Sequence, residues 1–195
     1  MRKLIMQMSI SADGFVSGPD GRADWIHKAS DETSRAWAVA QCREAGLIIM
    51  GRKSFEIMAP YWPTATGPFA APMNETPKAV FTQQGFTMPA IPAETPEQAK
   101  AAATWTGARV LTGDLATHVR QLKSEPGNPI YAAGGAGFMR NLIATGLIDE
   151  YRLIIHPLVL GAGLPIFNGL AQPLDLKLAD VKAFPGGIVA HTYHV

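Results

Sequence analysis

Apolar and polar positions alternate from Lys3 to Ile10: Leu4, Met6, Met8 and Ile10 share one face, and Ile5 adds apolar character to the other. The pattern predicts a strand buried on both sides and ending at Asp13-Gly14. The turn formers Ser17-Gly18-Pro19-Asp20-Gly21 then predict a loop that carries Asp24, Trp25 and His27 past the strand. Ser30 is placed to cap a helix running to about Glu44, with Asp31 and Glu32 at its positive end and Asp31 paired with Arg35 at i,i+4. Leu47-Ile48-Ile49-Met50 has no polar interruption and predicts a central parallel strand. Gly51-Arg52-Lys53-Ser54 follows at once and opens a short helix to about Met58, halted by Pro60. The Pro- and Thr-rich stretch 60–77 reads as one long loop.

Further strands are predicted at Ala79–Thr82, Arg109–Thr112 and Ile130–Ala133. Helices are predicted around Glu97–Thr104, after the cap Asp114, and over the stripe Phe138, Met139, Leu142 and Ile143 that Gly146 closes. The last quarter changes character. Tyr151–Leu160, Leu174–Val181 and Ile188–Val195 read as strands with no helix between them, which makes them antiparallel. The fold class is therefore α/β, a three-layer arrangement in which helices flank a central mixed, mainly parallel sheet with antiparallel C-terminal strands. The pattern gives a single domain, 1–195, without repeats or a boundary.

Charge and cysteine content narrow the function classes. The 17 Lys+Arg against 16 Asp+Glu leave a formal net charge of +1, too little for a field that holds a polyanion, so no nucleic acid is expected as partner. Cys42 is the only cysteine, which excludes an internal disulfide and a multi-thiolate zinc site and fits a reducing, cytoplasmic setting; it sits inside a predicted helix as a small buried residue. No apolar run reaches the roughly 18 residues of a membrane span.

Two glycine junctions share one layout: a buried strand, then glycine, then a helix start. There the backbone approaches a phosphate closely, and free N–H groups and the helix dipole favour an anion. Gly51-Arg52-Lys53-Ser54 adds two cations and a hydroxyl; Gly134-Gly135-Ala136-Gly137 is the other junction. On neighbouring parallel strands they would hold a dinucleotide across the carboxyl edge of the sheet, although each alone is also an ordinary tight turn. Neither is a G-x-G-x-x-G fingerprint, and no P-loop occurs. Asp13 and Asp24 are candidates for a proton donor, and Trp25, Tyr61 and Trp62 for an aromatic pocket wall. His191 and His194, three apart on a strand, face opposite ways, and His118 and His156 lack ligand partners in sequence, so no metal site is expected.

Ser9-Ile10-Ser11-Ala12-Asp13-Gly14-Phe15-Val16, Met50-Gly51-Arg52-Lys53-Ser54-Phe55-Glu56 and Gly134-Gly135 occur in an order that resembles the dihydrofolate reductase-like family, which includes the C-terminal reductase domain of the riboflavin-biosynthesis deaminase-reductase. Leu147-Ile148-Asp149-Glu150-Tyr151-Arg152-Leu153, then Pro157-Leu158-Val159-Leu160-Gly161-Ala162-Gly163 and Pro165-Ile166-Phe167, extend the likeness over nearly the whole chain. The resemblance implies a dihydrofolate reductase-like fold, NADPH as hydride donor and a homodimer. Carried over residue by residue, it implies that Gly51, Arg52, Lys53 and Ser54 hold the adenosine-side phosphates, with Thr82 beside the ribose. Gly134, Gly135, Ala136 and Gly137 would take the pyrophosphate and nicotinamide side, and Ala12 and Asp13 would border nicotinamide and substrate.

The chain also departs from its relatives. Gln83-Gln84 stands where many carry a basic residue near the 2'-phosphate, so a preference for NADPH over NADH leans on Arg52 and Lys53. The deaminase half, with its H-x-E and P-C-x-x-C, is absent. The tryptophan segment and carboxylate helix of true dihydrofolate reductases are missing after the first strand. The resemblance thus implies hydride transfer to a C=O or C=N group, as in reduction of 5-amino-6-(5-phosphoribosylamino)uracil. Reduction of dihydrofolate or another pterin, and a non-catalytic dinucleotide-binding dimer, are the alternatives; Arg22, Lys28, Asp13 and Asp24 near the first strand do not separate a phosphorylated pyrimidine from a pterin.

Overall fold

The alternating run at the start of the chain forms an inner strand of the sheet, β1 (Leu4–Ser11). The computed structural model describes all 195 residues. After β1 come β2 (Phe15–Ser17), a 3-10 turn (Asp24–His27), α1 (Glu32–Arg43), β3 (Leu47–Gly51), α2 (Arg52–Tyr61), a second 3-10 turn (Trp62–Thr64), α3 (Ala70–Glu75) and β4 (Lys78–Thr82). The second half contains α4 (Pro96–Thr106), β5 (Arg109–Thr112), α5 (Leu115–Ser124), β6 (Ile130–Ala132), α6 (Ala136–Ala144), β7 (Glu150–His156), β8 (Leu164–Pro165), β9 (Lys177–Ala183) and β10 (Val189–His194).

Eight strands form one sheet in the order β5-β4-β3-β6-β1-β7-β10-β9. The pairs from β5 through β7 are parallel; β10 runs antiparallel to β7 and to β9. β2 and β8 make a separate two-stranded ribbon. One face of the sheet buries Leu4, Met6, Ile49 and Ala132 against Val119 and Leu122 of α5 and Met139, Leu142 and Ile143 of α6. The other packs Ile48, Met50 and Val80 against Cys42 of α1, Phe55 and Ala59 of α2, Met73 of α3 and Trp105 of α4. This is the expected three-layer arrangement. No helix is long and apolar enough to cross a membrane.

The helix that leaves β3 therefore packs on one face, and the helix that leaves its neighbour β6 packs on the other. In an open α/β sheet such a divergence leaves a crevice outside the carboxyl ends of the two strands, where ligands bind.

Local chemistry moves several expected boundaries. α1 is capped by Asp31, not Ser30: the Ser34 N–H donates to the Asp31 carboxylate at 2.8 Å and the Asp31 N–H donates to the Ser34 hydroxyl at 3.0 Å. Arg35 consequently donates to the Ser30 carbonyl at 3.1 Å instead of pairing with Asp31. Pro60 does not halt α2, because it falls in the last turn and removes a single hydrogen bond. Part of the expected loop 60–77 is helical, since Phe69 and Met73 have the second core cluster to pack against. β7 stops at His156 because Pro157 has no N–H to continue the ladder.

Candidate active site

Three of the six helices, α1, α4 and α5, begin with a side-chain cap, supplied by Asp31, Thr95 and Asp114. α2 and α6, which open onto the crevice, have glycine at the cap position and no side-chain hydrogen bond there; the six-residue α3 also lacks one. The first N–H groups of α2 and α6 are thus left for an external acceptor.

The two helix starts also fit closely together. A Cβ on Gly51 would stand 2.9 Å from Cβ of Phe138, and one on Gly134 or Gly135 would stand 2.8 or 2.7 Å from the Ser54 hydroxyl. Gly134 further needs its positive φ of 86°. Any side chain at these positions would force the junctions apart.

A cavity of about 380 Å³ lies over them. β3 and α2 supply Gly51, Arg52, Lys53 and Ser54; β4 and its exit supply Phe81, Thr82, Gln83 and Gln84. Gly113 and Leu115 come from the β5–α5 junction, and Gly135, Gly137, Phe138 and Asn141 from the β6–α6 junction. Cβ atoms built on Gly113 and Gly137 meet nothing within 4 Å, so these glycines leave room beside the backbone. Arg52 and Lys53 are the cations of the lining. Arg52 is partly engaged, its Nη1 lying 2.9 Å from Oε1 of Glu56. Uncapped helix starts, two cations, a hydroxyl and aromatic rings fit a phosphate-bridged nucleotide such as NADPH.

Seven of the expected cofactor residues meet here: Gly51, Arg52, Lys53, Ser54, Thr82, Gly135 and Gly137. Gly134 lies behind them against Ser54, and Ala136 packs on the core. The Thr82 hydroxyl donates to the Gln84 carbonyl at 2.7 Å and so shapes the β4 exit. Gly113 makes a third strand–glycine–helix junction, between β5 and the Asp114 cap of α5. Leu115, Phe138 and Asn141 carry no local motif and enter through topology alone, whereas Gln83 and Gln84 follow β4 where the resemblance set the 2'-phosphate.

The candidate proton donors Asp13 and Asp24 and the candidate wall residues Trp25, Tyr61 and Trp62 do not line this cavity. Asp13 accepts hydrogen bonds from the Ser11 hydroxyl at 2.6 Å and from the backbone N–H groups of Leu160 and Gly161 at 3.1 and 2.7 Å. The Ser11 bond, aided by the two backbone donors, holds its carboxyl below the usual carboxylate range, and through those donors Asp13 anchors the loop after β7. Ala12 serves the same loop, donating its N–H to the Leu158 carbonyl at 2.8 Å. Asp24 is 72% exposed and pairs with Arg22 in solvent. Tyr61 is exposed and packs edge-on against Trp62, which lies against the α2–α4 core; neither lines the cavity. Trp25 is buried and turns its ring edge to His156, centroid to centroid 5.2 Å.

A second polar region lies between β1 and β7. The parallel register places Gln7 beside Arg152, Ser9 beside Ile154 and Ser11 beside His156. The Gln7 Oε1, one Arg152 guanidinium nitrogen and both His156 ring nitrogens are buried without a hydrogen-bond partner.

The sequence and fold have known counterparts. The family model described as the RibD C-terminal domain matches residues 2–190. The Bacillus subtilis protein YyaP is 30% identical over 193 residues, covering 99% of this chain and 95% of its own. Among solved structures, Acinetobacter baumannii RibD superposes with a TM-score of 0.70 at 19% identity, over all of this chain and 58% of that one. The diaminohydroxyphosphoribosylaminopyrimidine deaminase/5-amino-6-(5-phosphoribosylamino)uracil reductase of Thermotoga maritima superposes with a TM-score of 0.64 at 14% identity, over 99% of this chain and 56% of that one. The architecture is accordingly that of the dihydrofolate reductase-like RibD C-terminal fold, and the chain belongs to the RibD C-terminal domain family.

Proposed function

We propose that this protein is an NADPH-dependent reductase that delivers hydride to a C=O or C=N carbon, with 5-amino-6-(5-phosphoribosylamino)uracil as its substrate class. The observation that carries the reading is the convergence of two uncapped helix starts, from neighbouring parallel strands, on one cavity lined by Arg52 and Lys53. The substrate class is that of the reductase activity of the Thermotoga maritima relative.

Bound NADPH would supply the hydride. The chain's part is to bind and orient: the N–H groups opening α2 and α6 would hold the pyrophosphate, while Arg52 and Lys53 would offer charge to the remaining phosphate. Thr82, Gln83 and Gln84 border the sugar, and Phe81 and Phe138, 5.4 Å apart, form an apolar floor that excludes water. We read the protein as a homodimer in the cytoplasm. Support for the dimer comes from β9, an edge strand exposed throughout, on which Leu178 and Val181 are 58% and 49% accessible.

Titration with NADPH and NADH, followed by incubation with 5-amino-6-(5-phosphoribosylamino)uracil, tests the reading. NADPH-selective binding and substrate-dependent loss of nicotinamide absorbance are expected. Absence of nucleotide binding in folded protein would leave a non-catalytic dimer. Binding followed by reduction of dihydrofolate instead would replace the substrate class.

A further inference from the structure

The β1–β7 seam ends in a histidine that no structural role explains. His156 is 2% exposed, and neither ring nitrogen has a hydrogen-bond partner. A buried polar group left unpaired costs about 1–3 kcal/mol, so an idle histidine here is expensive to keep. Its surroundings share the deficit: the Trp25 indole N–H, whose ring packs against the imidazole, is also unpartnered.

The position of His156 agrees with a role in chemistry. A pyrophosphate between α2 and α6 would sit over β3 and β6, and the cavity extends from there toward β4 and β5. The other nucleoside of a dinucleotide held there would run the opposite way, toward β1 and β7. Strands lie about 4.8 Å apart, so the end of β7 is roughly 10 Å from the end of β6, within reach of that nucleoside and a reactant beside it. His156 is the last residue of β7, in register with Ser11 at the end of β1. The 3-10 turn that lays Trp25 over the imidazole has no side-chain cap and ends in solvent at the Arg22–Asp24 pair. Its backbone hydrogen bonds, from the Ile26 N–H to the Ala23 carbonyl at 3.1 Å and from the Lys28 N–H to the Trp25 carbonyl at 3.0 Å, are all local to the turn.

We propose that His156 is a catalytic acid of this reductase, donating a proton to the heteroatom of the reduced C=O or C=N group. The inference rests on the reductase reading. The balance is simple. Hydride from the reduced nicotinamide forms the new C–H bond and the C=O or C=N π bond breaks. The electron pair left on oxygen or nitrogen takes a proton from a ring nitrogen of the imidazolium. The products are alcohol or amine, oxidised nicotinamide and neutral imidazole, which solvent reprotonates when the Trp25 turn opens.

The charged and titratable groups around the ring are few. The turn presents His27 and the solvent-paired Asp24; β1 presents Ser11 and, beyond it, the anchored Asp13; the start of α1 presents Asp31, bound to the Gly186 N–H at 2.6 Å. The Gly186-Gly187-Ile188 segment before β10 presents none. Burial and then the nearby His27 lower the imidazole pKa, which makes the protonated ring a stronger acid than free histidine.

The test uses His156→Asn and His156→Gln with the wild type. NADPH affinity should be equal in all three, which checks folding and keeps cofactor binding separate. Single-turnover reduction of 5-amino-6-(5-phosphoribosylamino)uracil should fall about 100-fold or more in both variants, and the decline of rate with rising pH should disappear. In the wild type, 15N signals of the His156 ring should titrate below the usual histidine range and shift when the substrate joins the oxidised-cofactor complex, a readout that needs no turnover. Variants that keep the wild-type rate and pH profile, or ring signals unmoved by bound substrate, overturn the proposal. NADPH binding without reduction of this substrate by the wild type overturns the substrate reading and the proposal with it.

Discussion

The two edges of the same sheet are built in opposite ways. At the amino edge, where strands begin, buried charges are present and each is paired with an opposite charge or a hydrogen-bond acceptor, one Arg152 nitrogen alone staying open. Glu150 at the start of β7 meets Lys3 at 3.0 Å and Arg152 at 2.6 Å; Lys123 meets Asp149 at 2.7 Å and the Leu147 carbonyl at 2.8 Å; Lys78 at the start of β4 donates to the Thr104 hydroxyl at 2.9 Å and lies 4.5 Å from the Trp105 ring centre. At the carboxyl edge stand glycines, uncapped helices and a histidine without partners. Groups that satisfy one another hold a fold together, whereas groups left open can serve something from outside. Substitutions at the amino edge should therefore change stability and spare binding, and those at the carboxyl edge should do the reverse.

The largest effect is expected at Glu150. Burial alone would push its carboxyl up, but the hydrogen bonds from Lys3 and Arg152 hold it below its usual range. Glu150→Gln leaves Arg152 buried with a weakened partner and should cost about 3 kcal/mol in denaturant unfolding, with NADPH affinity unchanged. A concurrent loss of binding would show that the edges are not independent.

Lys78 comes next. Burial pushes its ammonium down to about 7 from the ordinary 10.5. The folded pKa is depressed, so between about pH 7 and 10.5 the unfolded chain binds the extra proton and stability rises with pH. Lys78→Met should abolish that rise and stabilise the protein at pH 7 by about 1–3 kcal/mol. Thermal unfolding of both proteins at pH 7 and 9 measures it; parallel pH curves would mean that the ammonium is solvated.

Gly137→Leu reverses the pattern. The position is helical and faces open space, so leucine should leave stability equal or raise it by up to about 1 kcal/mol. It should nevertheless weaken NADPH at least about tenfold, or 1.4 kcal/mol, by filling the cavity. The smallest effect belongs to Arg52→Ala, because Glu56 already occupies part of the guanidinium. NADPH should weaken a few-fold and NADH less; equal losses in fluorescence titrations would remove Arg52 from the 2'-phosphate.

Much of this division was legible in the sequence. The alternation of Leu4, Met6 and Ile10 and the unbroken Leu47–Met50 run gave the inner strands, because parallel strands buried on both faces need apolar residues throughout. The two glycine junctions pointed to adjacent strands, which β3 and β6 are. What stayed hidden depends on distance along the chain. Asp13 reads locally as a turn former, and its anchoring role needs Leu160 and Gly161, brought back by the β1–β7 pairing. Tyr61 and Trp62 look like a binding surface until the α2–α4 core claims the second ring. His156 reads as a strand-end histidine, and only the ladder that sets it beside Ser11 and beneath Trp25 shows that it lacks partners.

The most direct test of the carboxyl edge as a nucleotide site is a calorimetric titration of the wild type and Gly137→Leu with NADPH. Saturable binding by the wild type, lost in a variant of equal or greater stability, is the expected result. No binding by folded wild-type protein, or unaltered affinity in the variant, would contradict the assignment of the cavity between α2 and α6.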